Sequence, residues 1–128
     1  MITVVKNGRV IDPYNNIDSK LNIVIKDGKI LELTPYEISG EKNIDATGLI
    51  VCPGFIDIHM HEDMYHKEED YLDEWIAKSM LNMGVTTCIG GNCGINLTEP
   101  LTYLDAVDRL KLPVNIGLMA GHTNIREC

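Results

Sequence analysis

The sequence has little positive charge. It carries 11 lysine and arginine residues against 19 aspartate and glutamate residues, which gives a formal net charge of -8 at pH 7. Binding to nucleic acid or to an anionic membrane surface depends on a surplus of cationic side chains. The composition therefore argues against both partners and favours a small molecule or another protein.

Long apolar runs are also missing. The opening MITVVKNGRVIDP has no basic segment followed by an apolar one, and no stretch of the chain approaches the ~20 apolar residues that a membrane-spanning helix needs. We therefore expect a cytoplasmic protein. Hydrophobic residues make up 45% of the 128 residues, which is ordinary for a globular domain with a core.

Cysteine is scarce as well. Cys52, Cys88, Cys93 and Cys128 are too few and too unevenly spaced for a disulfide framework, and a reducing compartment keeps them as thiols. We expect Cys52 and Cys88 to belong to the core, while the position of Cys128 predicts nothing. Cys93, in the turn GGNCG, is either a buried turn residue or a ligand.

The first 53 residues are predicted to be rich in β-structure. Apolar segments ITVVK and RVID flank Asn7-Gly8, and segments LNIVIK and KILELT flank Asp27-Gly28. Both dipeptides supply the positive φ angles of two-residue hairpin turns, so we expect two hairpins here.

Residues 54–128 alternate between short apolar strands and amphipathic helices. The strands are predicted in LIVCPGFIDIHM, VTTCIGG and PVNIGLMAG, and the helices in DYLDEWIAKSMLNMG, which Gly84 ends, and EPLTYLDAVDRLK. This order indicates βαβ units and a parallel sheet covered by helices. The predicted apolar helix faces consist of Leu72, Trp75, Ile76, Met80 and Met83 and of Leu101, Leu104, Val107 and Leu110.

Three of the four histidines stand in one stretch, GFIDIHMHEDMYH. Residues two apart on a strand point to the same face, so His59 and His61 can reach one ion while Met60 packs the other way. Imidazole nitrogen suits zinc and other divalent transition metals. The alternative is a pair of exposed loop histidines, but the position at a strand end favours a metal site.

Several residues fall at the ends of the predicted strands. His59 and His61, then Cys93, then His122 follow three successive strands, and ligands of parallel α/β folds collect at the carboxyl ends of strands. We therefore expect His59, His61 and Cys93 to converge. Glu62 and Asp63 are candidate partners of the two histidines, and His66 is expected to be a loop residue.

With these residues identified, the sequence resembles the amidohydrolase superfamily. The segments VVKNGRVIDPYNNIDSKLNIVIKDGKI and IDATGLIVCPGFIDIHMH are similar to the family's β-sandwich piece leading into its barrel, and GVTTCIGGNCGINL and GHTNIRE are similar to the N-acyl-D-amino-acid deacylase branch. The resemblance implies an α/β protein. Residues 1–53 would belong to a composite β-sandwich, and residues 54–128 would be the first three strands and two helices of a (β/α)8 TIM-type barrel.

The resemblance also implies a site. His59 and His61 match the family's metal ligands, Cys93 matches a zinc-binding cysteine that replaces a carboxylated lysine of hydantoinase-like relatives, and His122 and Arg126 match a substrate-binding motif. One or two zinc or other divalent ions would then activate water to hydrolyse the amide of an N-acyl-D-amino acid. The proton-shuttling aspartate is expected outside this chain, so no catalytic residue is assigned.

Two alternatives remain open. One is a dihydroorotase- or hydantoinase-like hydrolase of cyclic amides, and the other is a catalytically silent truncated module. A (β/α)8 barrel needs ~250 residues, so the chain is expected to be an amino-terminal fragment. Such a fragment would be inactive alone and would self-associate or bind the rest of the barrel. The mass of the native polypeptide would discriminate between the enzyme and the module.

Overall fold

The computed structural model describes residues 1–126, so Cys128 lies outside the described residues. It is a mixed α/β structure with two compact units, one formed by Met1–Pro53 and one beginning at Gly54. Within residues 1–126, no helix combines the length and the apolar character that crossing a bilayer requires.

The described residues form ten strands, three α-helices and one short 3-10 helix at Asn92–Gly94. The strands are β1 (Ile2–Asp12), β2 (Ile17–Lys26), β3 (Lys29–Thr34), β4 (Lys42–Asp45), β5 (Ile50–Val51), β6 (Phe55–Asp57), β7 (Tyr65–His66), β8 (Tyr71–Leu72), β9 (Val85–Gly90) and β10 (Asn115–Leu118). The helices are α1 (Trp75–Asn82), α2 (Pro100–Leu110) and α3 (His122–Arg126).

The first unit is built on one five-stranded sheet. Its strands follow the order β3-β2-β1-β4, and β5 also pairs with β1. The pairs β1/β2 and β2/β3 are antiparallel, whereas β4 and β5 run parallel to β1. The buried apolar side chains of this unit are Val4, Val10, Ile23, Val24 and Ala46.

One of the two predicted hairpin turns is confirmed and the other is wrong. Asp27-Gly28 joins β2 to β3 with φ angles of 50° and 75°. Asn7-Gly8 instead lies inside β1, where the register with β2 shifts, and the chain reverses at residues 13–16. Asn7 has φ 66°, and a β-bulge uses the same positive φ as a turn, so the local sequence signal fits both structures.

The second unit contains a parallel sheet of order β10-β9-β6. Helices α1 and α2 connect its strands, which confirms the predicted sequence of strand, helix, strand, helix and strand. Two core clusters support the sheet, one formed by Met60, Ala77, Cys88 and Val114 and one by Leu72, Tyr103, Ala106 and Val107. The prediction that Cys88 is a core residue is confirmed.

The predicted helix faces are only partly correct. Leu72 belongs to β8 rather than to a helix, and Trp75, Met83 and Leu101 are 78%, 60% and 70% exposed. The buried residue of α1 is Ala77. The apolar periodicity predicted where the helices lie. It assigned the buried face of α1 to large side chains, whereas the structure buries Ala77 there.

The prediction that Cys52 is a core residue is wrong, because its side chain is exposed. Strand β5 ends at Val51, so Cys52 falls just outside the sheet and before Pro53.

Candidate metal centre

The two paired histidines lie just beyond the end of β6. The strand ends at Asp57, yet the Met60 N–H still donates to the Ile89 carbonyl at 3.1 Å, so the backbone continues along β9. Met60 is 3% exposed, whereas His59 and His61 are exposed. The predicted alternation is therefore confirmed, with both imidazoles on one side and Met60 in the core.

Cys93 lies in a tight turn after β9. Its φ is 61°, and the glycines on either side of the Asn92-Cys93 pair, Gly91 and Gly94, have φ angles of 74° and 76°. A Cβ on Gly91 would overlap the carbonyl oxygen of Met119, so glycine is required there. This backbone presents the Cys93 thiol on the exposed side of the turn.

Asn92 joins this turn to the histidine segment. It is buried, and its Nδ2 donates to the Met60 carbonyl at 3.1 Å and to the Ile89 carbonyl at 2.8 Å. Met60 stands between His59 and His61, so one amide fixes the Cys93 turn against the backbone that carries both imidazoles.

The three predicted ligands converge. Cys93 Sγ lies 3.7 Å from His59 Nε2 and 3.8 Å from His61 Nε2, and the ligand atoms of all three residues lie within 4.8 Å of one another. Tetrahedral zinc with ordinary bond lengths would separate a thiolate sulfur from an imidazole nitrogen by about 3.6 Å. The three side chains therefore fit a zinc ion in donor type and spacing.

Cys88 offers a contrast within the same strand region. It is fully buried, and burial, followed by the charge of Asp57, raises the pKa of its thiol. A buried thiol that stays protonated at neutral pH behaves as a small hydrophobic side chain. Of the two cysteines near the site, Cys93 is thus the candidate ligand.

Glu62, directly after His61, is a buried carboxylate. It is 4% exposed, and its Oε1 accepts a hydrogen bond from Asn96 Nδ2 at 2.9 Å. Within residues 1–126, no group donates a hydrogen bond to its Oε2. Glu62 was predicted as a candidate partner of the histidines, but the hydrogen bond that the structure shows for it comes from Asn96.

Asn96 is a hydrogen-bonding centre that the sequence analysis missed. Besides the bond to Glu62, its Nδ2 donates to the Met119 carbonyl at 3.0 Å, and its Oδ1 accepts from the Gly121 N–H at 2.5 Å. Its backbone N–H and carbonyl bond the Asn124 side chain at 2.8 and 3.1 Å. A lone asparagine after a turn carries no sequence pattern that would reveal these contacts.

Asp63 caps the amino-terminal end of helix α1. It is 5% exposed, and its two carboxylate oxygens accept from the Ile76 and Ala77 N–H groups at 2.8 and 2.9 Å, at the start of α1. Glu74, which precedes the helix, makes no side-chain cap. Burial and the charges of Asp63 and Glu62 raise the pKa of the nearby buried Tyr103.

The remaining candidate residues are not part of the converging group that the structure shows within residues 1–126. His66 is in the two-residue strand β7 rather than in a loop; its Nε2 is 3.0 Å from Asp73 Oδ1, and its ring stacks on Tyr71. His122 begins α3 and packs beside Gly94, while Arg126 ends α3, and both side chains are exposed. Their role in substrate binding stays a prediction.

No family model matches the chain, but individual relatives do. The D-aminoacylase of Alcaligenes xylosoxydans xylosoxydans is 29% identical over 143 aligned residues, covering 93% of this chain and 28% of that protein. A dihydroorotase of Geobacter metallireducens is 34% identical over 121 residues, covering 91% and 28%. A dihydroorotase of Clostridioides difficile is 40% identical over 90 residues, covering 67% and 21%. The chain thus spans less than a third of the length of these relatives.

Solved structures share the fold. The N-acyl-D-glutamate deacylase from Bordetella bronchiseptica, complexed with zinc and a phosphonate inhibitor, superposes with a TM-score of 0.79 at 24% identity, over 97% of this chain and 30% of that one. The L-hydantoinase (dihydropyrimidinase) from Arthrobacter aurescens gives a TM-score of 0.64 at 27% identity, over 92% and 27%. The homologues of this chain are hydrolytic enzymes of the amidohydrolase superfamily, and the chain covers only a small part of their length.

Proposed function

We propose that this chain supplies the first metal ligands of a metal-dependent amidohydrolase that hydrolyses the amide bond of N-acyl-D-amino acids. The observation that carries the proposal is the position of Cys93 Sγ, 3.7 and 3.8 Å from the Nε2 atoms of His59 and His61. A cysteine ligand is what the resemblance to the deacylase branch implies, and the D-aminoacylase relative covers 93% of the chain.

The architecture we propose follows the resemblance. Residues 54–128 would be the first three strands and two helices of a (β/α)8 barrel, and residues 1–53 would be part of a β-sandwich. In support, the ligands follow the carboxyl ends of the parallel strands β6 and β9, where barrel enzymes hold their active sites.

The second unit exposes apolar side chains beside an open edge of its sheet. Phe55, Ile56 and Ile58 are 59%, 66% and 73% exposed, and within residues 1–126 strands β6 and β10 each pair only with β9. Exposed apolar residues beside an open strand edge favour association. We propose that the rest of a barrel, or a second copy of the chain, covers this surface, so that the isolated chain self-associates and has no activity.

The proposed chemistry depends on an accessible metal. A bound zinc ion supplies Lewis acidity, which polarises a carbonyl and makes water nucleophilic near neutral pH. His59, His61 and Cys93 hold their donor atoms together and remain exposed, which gives a substrate access to them. The resemblance implies that further histidine ligands of the site lie outside this chain. The proton-shuttling carboxylate would be an aspartate outside this chain.

A second candidate function is the hydrolysis of a cyclic amide. The dihydroorotase of Geobacter metallireducens covers 91% of this chain and is 34% identical, which is higher than the identity to the D-aminoacylase. Both candidates break a C–N bond at a metal centre. The net charge of -8 supports a small-molecule substrate rather than nucleic acid in either case, and a cytoplasmic location is part of the same proposal.

The test uses the native polypeptide that carries this sequence. Its mass and zinc content are measured, and its hydrolysis of N-acetyl-D-amino acids is compared with its hydrolysis of dihydroorotate, with a Cys93→Ala variant as the control. We expect bound zinc and a preference for the N-acetyl-D-amino acids. A preference for dihydroorotate would replace the first candidate by the second, and a zinc-free, inactive polypeptide would show a silent module.

A further inference from the structure

We propose that Asn96 is a positioning residue of the metal centre and that the buried carboxylate of Glu62 is its anchor. The inference rests on the proposed function, because it concerns how the chain holds His61 and Cys93 at metal-binding distance. Neither Asn96 nor Glu62 is itself among the three converging ligands.

The Asn96 side chain joins three segments that follow three different strands. Its Nδ2 reaches Glu62 Oε1, after β6, and the Met119 carbonyl, after β10, at 2.9 and 3.0 Å. Its Oδ1 accepts from the Gly121 N–H at 2.5 Å, and Asn96 itself follows β9. Both amide hydrogens and the amide oxygen are therefore used, and each bond crosses between strand ends.

The contacts lie next to the ligands. Glu62 follows His61 directly, and Asn96 comes three residues after Cys93. The bond between Glu62 and Asn96 thus joins the two segments, and the bond from Asn92 to the Met60 carbonyl joins them a second time. Metal–ligand distances tolerate deviations of only about 0.2 Å, so small shifts of either segment weaken coordination.

Burial of Glu62 is unfavourable for a residue with a purely structural role. Burying a carboxylate costs free energy, and a carboxylate oxygen without a hydrogen-bond donor adds to that cost. Gly90 makes room for it, since a Cβ there would lie 3.3 Å from Glu62 Cγ and 2.7 Å from Leu118 Cδ2. An apolar side chain of similar size would fill the same space at lower cost. The presence of a buried hydrogen-bond acceptor for Asn96 at this position therefore indicates a role in the site.

The experiment measures cobalt binding to the native polypeptide that carries this sequence. Cobalt(II) takes zinc sites and gives a thiolate-to-metal charge-transfer band that reports the bond to Cys93. Asn96→Asp keeps the size and the acceptor for Gly121 but removes the donor to Glu62 and Met119. We expect cobalt affinity to fall by about 10- to 100-fold, the range seen for residues that orient metal ligands, with a weakened thiolate band.

Asn115→Asp is the control, which makes the same substitution at an exposed position. Asn115 stands at the opposite end of β10, and its Nδ2 donates to the Thr86 carbonyl at 2.9 Å, so it makes the same kind of bond between strands away from the ligands. We expect wild-type cobalt affinity and an unchanged band in this variant. A fall in affinity equal to that of Asn96→Asp would overturn the positioning role.

A second pair keeps the inference testable if Asn96→Asp fails to fold. Glu62→Gln retains an acceptor for Asn96 Nδ2 and should keep the affinity and the band, whereas Glu62→Leu should lose both to the same extent as Asn96→Asp. Far-UV circular dichroism establishes folding. Wild-type cobalt binding in folded Glu62→Leu would overturn the inference. A wild-type chain without a thiolate band would overturn the proposed metal site itself, before any variant is compared.

Discussion

The three converging ligands and the polar residues beside them differ sharply in burial. His59, His61 and Cys93 are exposed, whereas Glu62 and Asn96 are each 4% exposed. The ligands are free to take a metal, whereas the side chains of Glu62 and Asn96 bond to each other and that of Asn96 also bonds to the backbone. The exposed ligands are accessible to a metal and a substrate, and the buried residues hold the ligand segments in place.

Chemistry explains the difference. A ligand must keep a lone pair available for an ion, so it cannot be saturated by hydrogen bonds from the protein. A buried amide or carboxylate must have its hydrogen bonds made, because an unpaired polar atom away from water is costly. Residues that hold the site in place can therefore be identified by their hydrogen-bond partners. Residues that would bind the metal can be identified by their accessible donor atoms.

The largest effect should come from removing the exposed thiol. Cys93→Ala should lower zinc affinity by more than about 100-fold, beyond the range for residues that only orient ligands, because a direct ligand is lost. Alanine keeps the Cβ, so the backbone at φ 61° is no more strained than before. Metal analysis of the purified variant checks the outcome.

Cys88→Ala is the control for that variant. Cys88 is fully buried, so its loss should lower the free energy of unfolding by about 1 kcal/mol and leave zinc affinity unchanged. Equal zinc content in the two cysteine variants would contradict the assignment of Cys93.

A buried carboxylate whose hydrogen bonds go to a helix should affect stability rather than metal binding. Asp63 accepts hydrogen bonds from the Ile76 and Ala77 N–H groups, so Asp63→Ala would leave both donors without this acceptor and should lower the free energy of unfolding by about 2 kcal/mol. Denaturant unfolding measures this loss, and Asp63→Asn, which keeps one acceptor, should lose less. An unchanged midpoint in Asp63→Ala would show that its caps are not needed.

Gly121→Ala tests the buried contacts by steric means. A Cβ on Gly121 would lie 2.5 Å from Asn124 Oδ1 and 2.8 Å from Asn96 Oδ1, so we expect a loss of metal affinity of about tenfold. Gly117→Ala is matched to it in β10, where the added Cβ meets only the flexible end of Ile89 at 2.9 Å. Affinity should be retained there, as measured by cobalt titration; similar losses in both would point to a general disturbance of β10.

Of the two groups compared here, only the exposed ligands could be predicted from the sequence. The spacing of His59 and His61 sets their common face, and the glycines of GGNCG mark a turn after a strand, so local patterns were sufficient. Asn96 meets Glu62 across 34 residues and Gly121 across 25, and no periodicity encodes such pairs.

The fold divides in the same way. The alternation of strands and helices after Gly54 is a local pattern, and the parallel sheet followed from it. Asn7-Gly8 has an equally clear local signal, yet it forms a bulge, because the Asn7 N–H bonds Asn22 Oδ1 at 2.8 Å across the sheet. Local signals limit the backbone conformation, and long-range partners decide which of the allowed structures forms.

The smallest effect should come from an exposed cap, Glu99, which is the counterpart of buried Asp63. Hydrogen bonds from the backbone N–H groups of Thr102 and then Leu101, at the start of α2, hold its pKa below the usual 4.5. A carboxylate with a lowered pKa in the folded state stabilises the fold above pH 4.5, and this contribution is lost as pH falls through the lowered value. The denaturation midpoint of wild type should therefore exceed that of Glu99→Gln near neutral pH, and the difference should shrink as the pH falls below 4.5. Because solvent screens the exposed group, the difference should be small, and a difference that stays constant with pH would show that the charge of Glu99 contributes nothing to the cap.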